Sequence, residues 1–466
     1  MPPKADGSTT HRCASNMAAY EHKNCARSDK HTGLANIIPL EEEFATHSPK
    51  GIARAAKYEN DVDRGYAFVI LACGFLLFFC CWGYIRRLTS MIWGQFSWSV
   101  FQRHYSDANF APASSLSFVG TVNITSALLF GSLTGILASY VGYVPVAALG
   151  GAMITLGFFL ASWSTQLWHL ILTAGVLGGI GCSMTFVPVL ALIPQWFVKW
   201  KALATGIVAS GSGVGGFAWS LINARLIHTI GVEWTWRIGA FVCCALYALS
   251  LVFLRARNPP GRVKMDFKLL LQPSMLVINL GGFFLAFGYF PPIFYLSQYA
   301  GSCGISASDS AMIAGLFNIG SAFGRVLNGL GADWLGCFNA LALAVILSAV
   351  ALLCLLPFAT TYGSLLGFAL MYGFSTGGFQ SLFPVVIVQL FGAAQAALLV
   401  GLVYTPWIFG QLVSSFIFGT IVESRGGTSQ KSAYFPAIMF VGACMAASAS
   451  FMIALRLMQS RAAWWV

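Results

Sequence analysis

Apolar runs long enough to cross a bilayer recur along most of this chain, and they constrain its fold more than any other feature. A membrane-spanning helix needs about 20 consecutive, mostly apolar residues. Because a backbone in lipid must satisfy its own hydrogen bonds, such runs predict helices. Twelve runs are predicted, six on either side of a basic connection, at 66–84, 115–138, 143–164, 167–195, 202–228, 236–255, 269–299, 307–331, 337–358, 363–389, 397–422 and 433–457.

The composition also indicates an all-α membrane protein. Of the 466 residues, 57% are hydrophobic and 9% are charged, whereas soluble proteins carry about 25% charged residues. Nine of the 15 acidic residues lie in the first 64 positions, and the other six lie between apolar runs or at their edges. Nine basic residues balance the nine acidic ones in those 64 positions, so the net charge of +11 belongs to the membrane body. There it indicates orientation and not nucleic-acid binding.

The same distribution of charge predicts the domain organisation. Residues 1–64 are polar and lack an apolar core, so a disordered tail is expected. This tail has no signal-peptide pattern, which predicts that it is cytosolic. The membrane body divides into six-helix halves at 65–256 and 269–458, joined by a linker at 257–268 and followed by a short C-terminus at 459–466. Lysine and arginine are concentrated in loops on the side of the tail, which places both termini in the cytosol, and we expect the plasma membrane.

An internal repeat indicates that the two halves are related by pseudo-symmetry. "GILASYVG" (135–142) and "GLGADWLG" (329–336) share Gly-x-x-Ala-x-aromatic-x-Gly at an offset of 194 residues. Near the first span the better offset is 208, which aligns "FLLFF" (75–79) with "FFLAF" (283–287). The first half therefore contains an additional stretch near 85–98, either a true insertion or an error in the gene model.

One stretch, "WFVKWKALATGIVASGSGVGG" (196–216), contains the glycine pattern of a dinucleotide-binding loop. That loop requires a preceding strand and a helix that starts at the glycines, whereas these glycines lie inside an apolar run. Gly206 and Gly213, among other small residues three or four positions apart, instead predict close packing against another helix. Lys199 and Lys201 mark its cytosolic end. A static packing helix is the alternative, but repeated halves favour a helix that moves.

The same stretch resembles the fifth-span signature of monocarboxylate-transporter-like permeases, a branch of the major facilitator superfamily. The shared features are an aromatic pair, a basic turn, Leu-Ala-x-Gly and Ser-Gly-x-Gly. "DRGYAFVI" (63–70) is similar to the signature that precedes their first span, and "EWTWRIGAF" (233–241) resembles a stretch of fungal members. The resemblance covers about residues 61–457. It implies a rocker-switch carrier with twelve helices and a central cavity, often for small organic anions.

Arg325 is the main candidate for binding substrate. In animal members an arginine of the eighth span binds the substrate carboxylate, and Arg325 holds the matching position. Ser321 replaces the aspartate of those members, and Phe96 is the nearest match to their first-span lysine, which favours the fungal branch over lactate-like proton symport. A charge near mid-bilayer costs about 2.5–3.5 kcal/mol on insertion scales, which usually marks function. We expect an unpaired guanidinium that binds anions, with a snorkelling arginine as the alternative.

The other candidates line a cavity or form a gate. Aromatic and polar side chains of the predicted spans are expected to line the cavity, although each also fits simple packing; they are Asn123, Tyr289, Phe379, Gln380 and Ser381. Asp333 is expected to form a cytosolic latch with the start of the fifth span, near Lys199 and Lys201. Ser139 holds the equivalent position in the first half, so the halves are not equally latched.

These features predict a secondary active transporter that moves a small organic anion across the membrane. The alternatives are an efflux carrier for an amphipathic or neutral secondary metabolite, and a nutrient sensor that does not transport. The sequence has no Walker motif, which argues against an ATP-driven pump. It has no cluster of His, Asp or Glu at a membrane face, so we expect neither enzymatic activity nor a cofactor or metal. The expected partners are the bilayer, a small-molecule substrate and a proton as candidate coupling ion. The oligomeric state stays open, with a monomer sufficient.

Overall fold

The computed structural model describes residues 63–85, 113–257, 271–392, 396–427 and 430–459. Most of the predicted tail, additional stretch, linker and C-terminus lies outside these residues. The described part contains twelve long helices, and they correspond in order to the twelve predicted spans. They are α1 (Tyr66–Ile85), α2 (Ala113–Leu129 and Gly131–Val141), α3 (Tyr143–Ala161), α4 (Leu167–Trp196), α5 (Lys201–Ile230), α6 (Val232–Phe253), α7 (Pro273–Ser302), α8 (Ala307–Leu335), α9 (Cys337–Phe358), α10 (Tyr362–Phe391), α11 (Ala396–Ser424) and α12 (Lys431–Gln459).

Most of these helices are suited to lipid. Of the helices described, eight are long and apolar enough to cross a bilayer, and α2, bent by 45° between its two pieces, makes nine. In α1 the apolar part is shorter, Tyr66–Cys81. The remaining two, α5 and α8, are richer in glycine, serine and asparagine, and they pack against each other. Small residues at helix interfaces allow such close approach in membranes.

Two hydrophobic cores correspond to the two halves. One is built from buried residues between Ala67 and Leu254, and the other from residues between Met275 and Leu455. The second core also includes Leu128 of α2 and Ala202 of α5, so side chains of the first half reach into it. Each half therefore packs as a unit, and specific helices connect the two.

The repeated glycine motif ends the second helix of each half. Gly142 and Gly336 adopt φ values of 111° and 88°, which residues other than glycine rarely adopt. Their amides donate to the carbonyl oxygens of Ala138 and Ala332, at 3.0 Å in both cases. The Gly-x-x-Ala-x-aromatic-x-Gly pattern thus encodes the same helix end and sharp turn twice.

The halves contact each other through two symmetry-related helix pairs, α5 with α8 and α2 with α11. In the second pair, a side chain on Gly401 would overlap the backbone of Gly131. Both glycines lie toward the membrane side on which α5 begins and α8 ends, called the latch side below. The glycines therefore allow the two halves to approach closely on that side.

Candidate functional site

Glycines of α5 bring this helix into backbone contact with α8. A Cβ atom on Gly206 would overlap the carbonyl oxygen of Arg325, and one on Gly213 would lie 3.0 Å from the Cβ of Ala322. From the opposite helix, a Cβ on Gly329 would lie 2.6 Å from the carbonyl oxygen of Ala202. The two glycines singled out in the sequence thus lie at the interface between the halves. Their role in transport stays a prediction.

This contact places Arg325 against α5. Its side chain is buried, with 2% of its surface exposed. Nη1 donates to the carbonyl oxygen of Ala209 at 2.6 Å and to Oγ of Ser212, and Nη2 donates to Oε1 of Gln380. The guanidinium, predicted to have no carboxylate partner, is thus hydrogen-bonded to neutral oxygens in this conformation, and its role in binding anions stays a prediction. Buried donors require acceptors, and neutral oxygens of α5 and α10 supply them while the positive charge remains.

Gln380 connects Arg325 to a tyrosine of α7. While its Oε1 accepts from Arg325, its Nε2 lies 2.5 Å from the hydroxyl of Tyr289. The ring of Tyr289 meets that of Phe379 edge to face at a centroid distance of 5.4 Å. Ser381 donates to the carbonyl oxygens of Gly378 at 3.0 Å and Arg325 at 3.4 Å. The structure thus brings five predicted residues together on three helices of the second half.

Asn123 lies elsewhere, between two helices of the first half. Its Nδ2 donates to the carbonyl oxygens of Ala174 and Gly175 in α4, at 2.7 and 3.2 Å. A Cβ on Gly179 would overlap the backbone of Asn123 itself. These contacts join α2 to α4 and do not involve the Arg325 group. Substrate contact at Asn123 stays a prediction.

Next to the Arg325 group, five rings form a surface that we call the aromatic wall: Phe186, Phe379, Phe383, Tyr404 and Trp407. Trp407 lies 6.2 Å from Phe379 and 5.5 Å from Phe383 between ring centroids, and 5.0 Å from Tyr404. Tyr404 in turn lies 5.4 Å from Phe186, which belongs to α4 of the other half. The wall therefore spans both halves. One signal in the sequence could have indicated it, since Tyr404 and Trp407 share a helix face at a spacing of three.

Asp333 binds the start of α5 on the latch side. Its two carboxylate oxygens accept hydrogen bonds from the backbone amides of Ala202 at 3.0 Å and Leu203 at 2.9 Å. Both bonds come from main-chain amides in the first turn of α5, where helix amides lack intrahelical partners, and not from the ammonium groups of Lys199 or Lys201. We call this contact the Asp333 latch. It joins the last turn of α8 to the other half.

A second carboxylate, which was not among the predicted site residues, binds the backbone just before the first turn of α5. Asp63 accepts hydrogen bonds from the amides of Val198 at 3.1 Å and Lys199 at 3.1 Å, and its own amide donates to the carbonyl oxygen of Trp196. Asp63 opens the "DRGYAFVI" stretch that resembled a family signature. The end of the α4–α5 loop and the first turn of α5 are therefore bound by two carboxylates, Asp63 just before α1 and Asp333 in the second half.

We expect Asp333→Asn to destabilise the latch. Hydrogen bonds to a charged group contribute about 1.5–3 kcal/mol each, so weakening two should shift the equilibrium toward opening on the latch side by roughly tenfold or more. A cysteine at Ala202, which is buried under α8, would report this as faster labelling by a water-soluble maleimide. Ser139→Ala is the matched control, because that hydroxyl bonds within its own helix, to Ile136. Equal labelling rates with and without the Asp333→Asn substitution would contradict the latch.

The comparisons with known proteins agree with this geometry. Residues 70–414 match the family described as Major Facilitator Superfamily. The agnestins efflux protein AgnL12 of Paecilomyces divaricatus is 30% identical over 397 residues, which cover 84% of this chain and 87% of the relative. The aspyridones efflux protein apdF of Emericella nidulans is 27% identical over 413 residues, covering 87% and 81%.

A solved structure shows the same fold. The crystal structure of the transporter FucP superposes with a TM-score of 0.64 at 14% identity, covering 84% of this chain and 99% of FucP. This likeness and the family match confirm the predicted fold of twelve transmembrane helices in two halves, which works by alternating access. The relatives named above are described as efflux proteins and not as monocarboxylate permeases. The chain belongs to the Major Facilitator Superfamily.

Proposed function

We propose that this protein is a secondary carrier that exports an amphipathic metabolite with an aromatic ring from the cytosol across the plasma membrane. One observation carries the proposal: the aromatic wall spans both halves and lies beside the hydrogen-bonded side chains of Arg325, Gln380 and Tyr289. Such a site offers stacking surfaces together with a few directional polar groups, as small-molecule sites usually do. The efflux activity in the names of two relatives supports the same direction of transport.

The position of the glycine contacts supports a conformation that is closed toward the cytosol. On the predicted orientation, with both termini cytosolic, the latch side faces the cytosol. The α5–α8 and α2–α11 glycine contacts and the Asp333 latch all lie toward that side. Export then requires the halves 65–256 and 269–458 to separate there, so that substrate enters between them.

A small organic anion is the second candidate substrate, and the burial of Arg325 favours it. The guanidinium fork matches a carboxylate in two parallel hydrogen bonds, which are stronger than bonds between neutral groups. A substrate carboxylate would replace the neutral oxygens of Ser212 and Gln380 as its acceptor. The family resemblance in the fifth span supports this interpretation, and it would make the protein monocarboxylate-transporter-like in specificity as well as in sequence.

Metabolite profiling of cells and medium, with and without the protein, separates these functions. We expect deletion in the native host to raise the ratio of intracellular to extracellular concentration for one or a few aromatic, amphipathic metabolites, and reintroduction to restore it. If the concentration ratio changes only for small monocarboxylates, the result would favour the second candidate, transport of a small organic anion, over export of an aromatic metabolite. A nutrient sensor would instead change growth responses without a change in flux, and deleting residues 1–60 would then abolish signalling. Flux that persists after this deletion would support a carrier.

A further inference from the structure

Beyond the Arg325 group, one face of α11 points toward the space between the halves. At 100° per residue, Tyr404, Trp407 and Gln411 lie within one narrow sector of this helix. Gly401, on one flank of the sector, contacts α2, and Gly410, on the other flank, packs on Ala286 of α7. Because α2 and α7 belong to different halves, the sector between these flanks faces the interior of the carrier.

Gln411 is the unusual residue on this face. Its side chain is 2% exposed, and within the described part of the chain neither its Nε2 nor its Oε1 has a hydrogen-bond partner. The indole Nε1 of Trp407, one turn away, also has none among the described residues. Leaving buried polar groups unsatisfied is costly, and most buried polar atoms in proteins have partners. A whole amide without a partner inside a carrier therefore points to a group that the transport cycle brings to it.

The chemistry of the amide defines that group. A glutamine side chain presents an N–H donor and a carbonyl acceptor side by side. Only a ligand edge with an adjacent acceptor and donor satisfies both atoms, as a lactam or other cis-amide does. A carboxylate accepts from Nε2 but offers nothing to Oε1, and a hydrocarbon edge satisfies neither. The rings of Tyr404 and Trp407, 5.0 Å apart, supply apolar faces one turn away.

We propose that Gln411 is a substrate-recognition residue, which pairs with an amide-like edge of a planar ligand whose ring lies on Tyr404 and Trp407. This proposal rests on the proposed function, because it names the substrate class of the aromatic-wall site. It places the polar edge of the ligand one turn beyond Trp407, on the side away from the latch. Gln411 would then select between metabolites that share a ring but differ in this edge.

Three probes of similar size test the pairing by isothermal titration of the purified full-length protein in lipid nanodiscs. 2-Quinolone has the lactam edge, N-methyl-2-quinolone lacks its donor, and naphthalene lacks both polar atoms. We expect wild-type protein to bind 2-quinolone at least tenfold more tightly than N-methyl-2-quinolone, and naphthalene most weakly. Gln411→Met, which keeps the length of the side chain without its amide, should lower 2-quinolone affinity about tenfold and leave N-methyl-2-quinolone within about twofold.

Gln272→Met is the matched control, because Gln272 is exposed at the start of α7 and should not affect any probe. Unchanged 2-quinolone affinity in a folded Gln411→Met protein would overturn the proposal. If that variant does not fold, the wild-type protein alone tests the proposal. Equal wild-type affinities for 2-quinolone and N-methyl-2-quinolone would also overturn it. Binding does not depend on the direction of transport. Selective, Gln411-dependent binding without export in metabolite profiling would therefore refute the export function and leave the subsite intact.

Discussion

Arg325→Ala should reduce flux of an acidic substrate to background, a loss of at least about 100-fold. In the structure this side chain joins three helices, through Ala209 and Ser212 of α5 and Gln380 of α10. A substrate carboxylate that takes the place of the neutral acceptors loses two charge-assisted hydrogen bonds in the variant. That loss costs about 3 kcal/mol or more, which corresponds to roughly two orders of magnitude in an equilibrium constant. Arg325→Lys should retain weak activity, because the ammonium keeps the charge but loses the fork.

The same variants separate the two candidate substrates. Flux is compared at equal surface expression, with Arg237→Ala as control, since Arg237 is an arginine near the membrane surface with a long ion pair to Glu233. If the substrate is neutral, Arg325→Ala should retain substantial flux, and Phe379→Ala or Tyr289→Phe should then have the larger effect. Wild-type flux in the Arg325→Ala, Phe379→Ala and Tyr289→Phe variants would show that the Arg325 group does not belong to the transport site.

Gly206→Leu should abolish transport while the protein still reaches the membrane. Even a Cβ atom at this position would overlap the carbonyl oxygen of Arg325, so the larger side chain must force α5 away from α8. That separation prevents closure on the latch side and displaces the oxygens that bind the guanidinium. Gly213→Leu should act in the same direction with a smaller effect, because a Cβ there would lie 3.0 Å from the methyl group of Ala322 and 3.5 Å from the carbonyl oxygen of Asn318.

Gly367→Leu provides the comparison, since a Cβ atom at this position of α10 would meet nothing within 4 Å. It should leave flux unchanged and control for the general effect of replacing a helical glycine. Flux of radiolabelled substrate, once profiling has identified it, is measured in cells with matched surface levels. Normal flux in the Gly206→Leu variant would show that the α5–α8 contact is not needed in the cycle.

The helices could be predicted from the sequence because bilayer thickness and backbone hydrogen bonding act locally on each segment. Every described helix overlaps a predicted apolar run, and the differences lie at the ends. α5, for example, continues to Ile230, two residues beyond the predicted 228. Such ends depend on caps and turns, as at Gly231, whose φ of 86° terminates α5. Arg325 and Gly206 could also be identified as candidate site residues. A charge, or a row of small residues, inside an apolar run is recognisable in the sequence before its contacts are known.

The partners of these residues could not be predicted in this way. The acceptors of Arg325 depend on the rotation of α5 and α10, which the polar character of α5 alone does not determine. Gln411 and Trp407 lie in an apolar run that does not show what their side chains contact, and the role proposed for them depends on how α11 meets α2 and α7. Asp63 was visible as part of a resemblance, but its hydrogen bonds to the start of α5 require the fold.

The asymmetry between Asp333 and Ser139 has a kinetic consequence. On the proposed orientation, an empty carrier rests with the Asp333 latch closed toward the compartment in which the metabolite is made. Reloading then requires breaking the two carboxylate–amide hydrogen bonds. If these contribute about 3 kcal/mol, opening slows by a factor on the order of 100, and we expect the return of the empty carrier to limit turnover. Metabolite that rebinds from outside meets the same barrier. We therefore expect the latch to slow back-flow of exported metabolite through the carrier, at the expense of maximal speed.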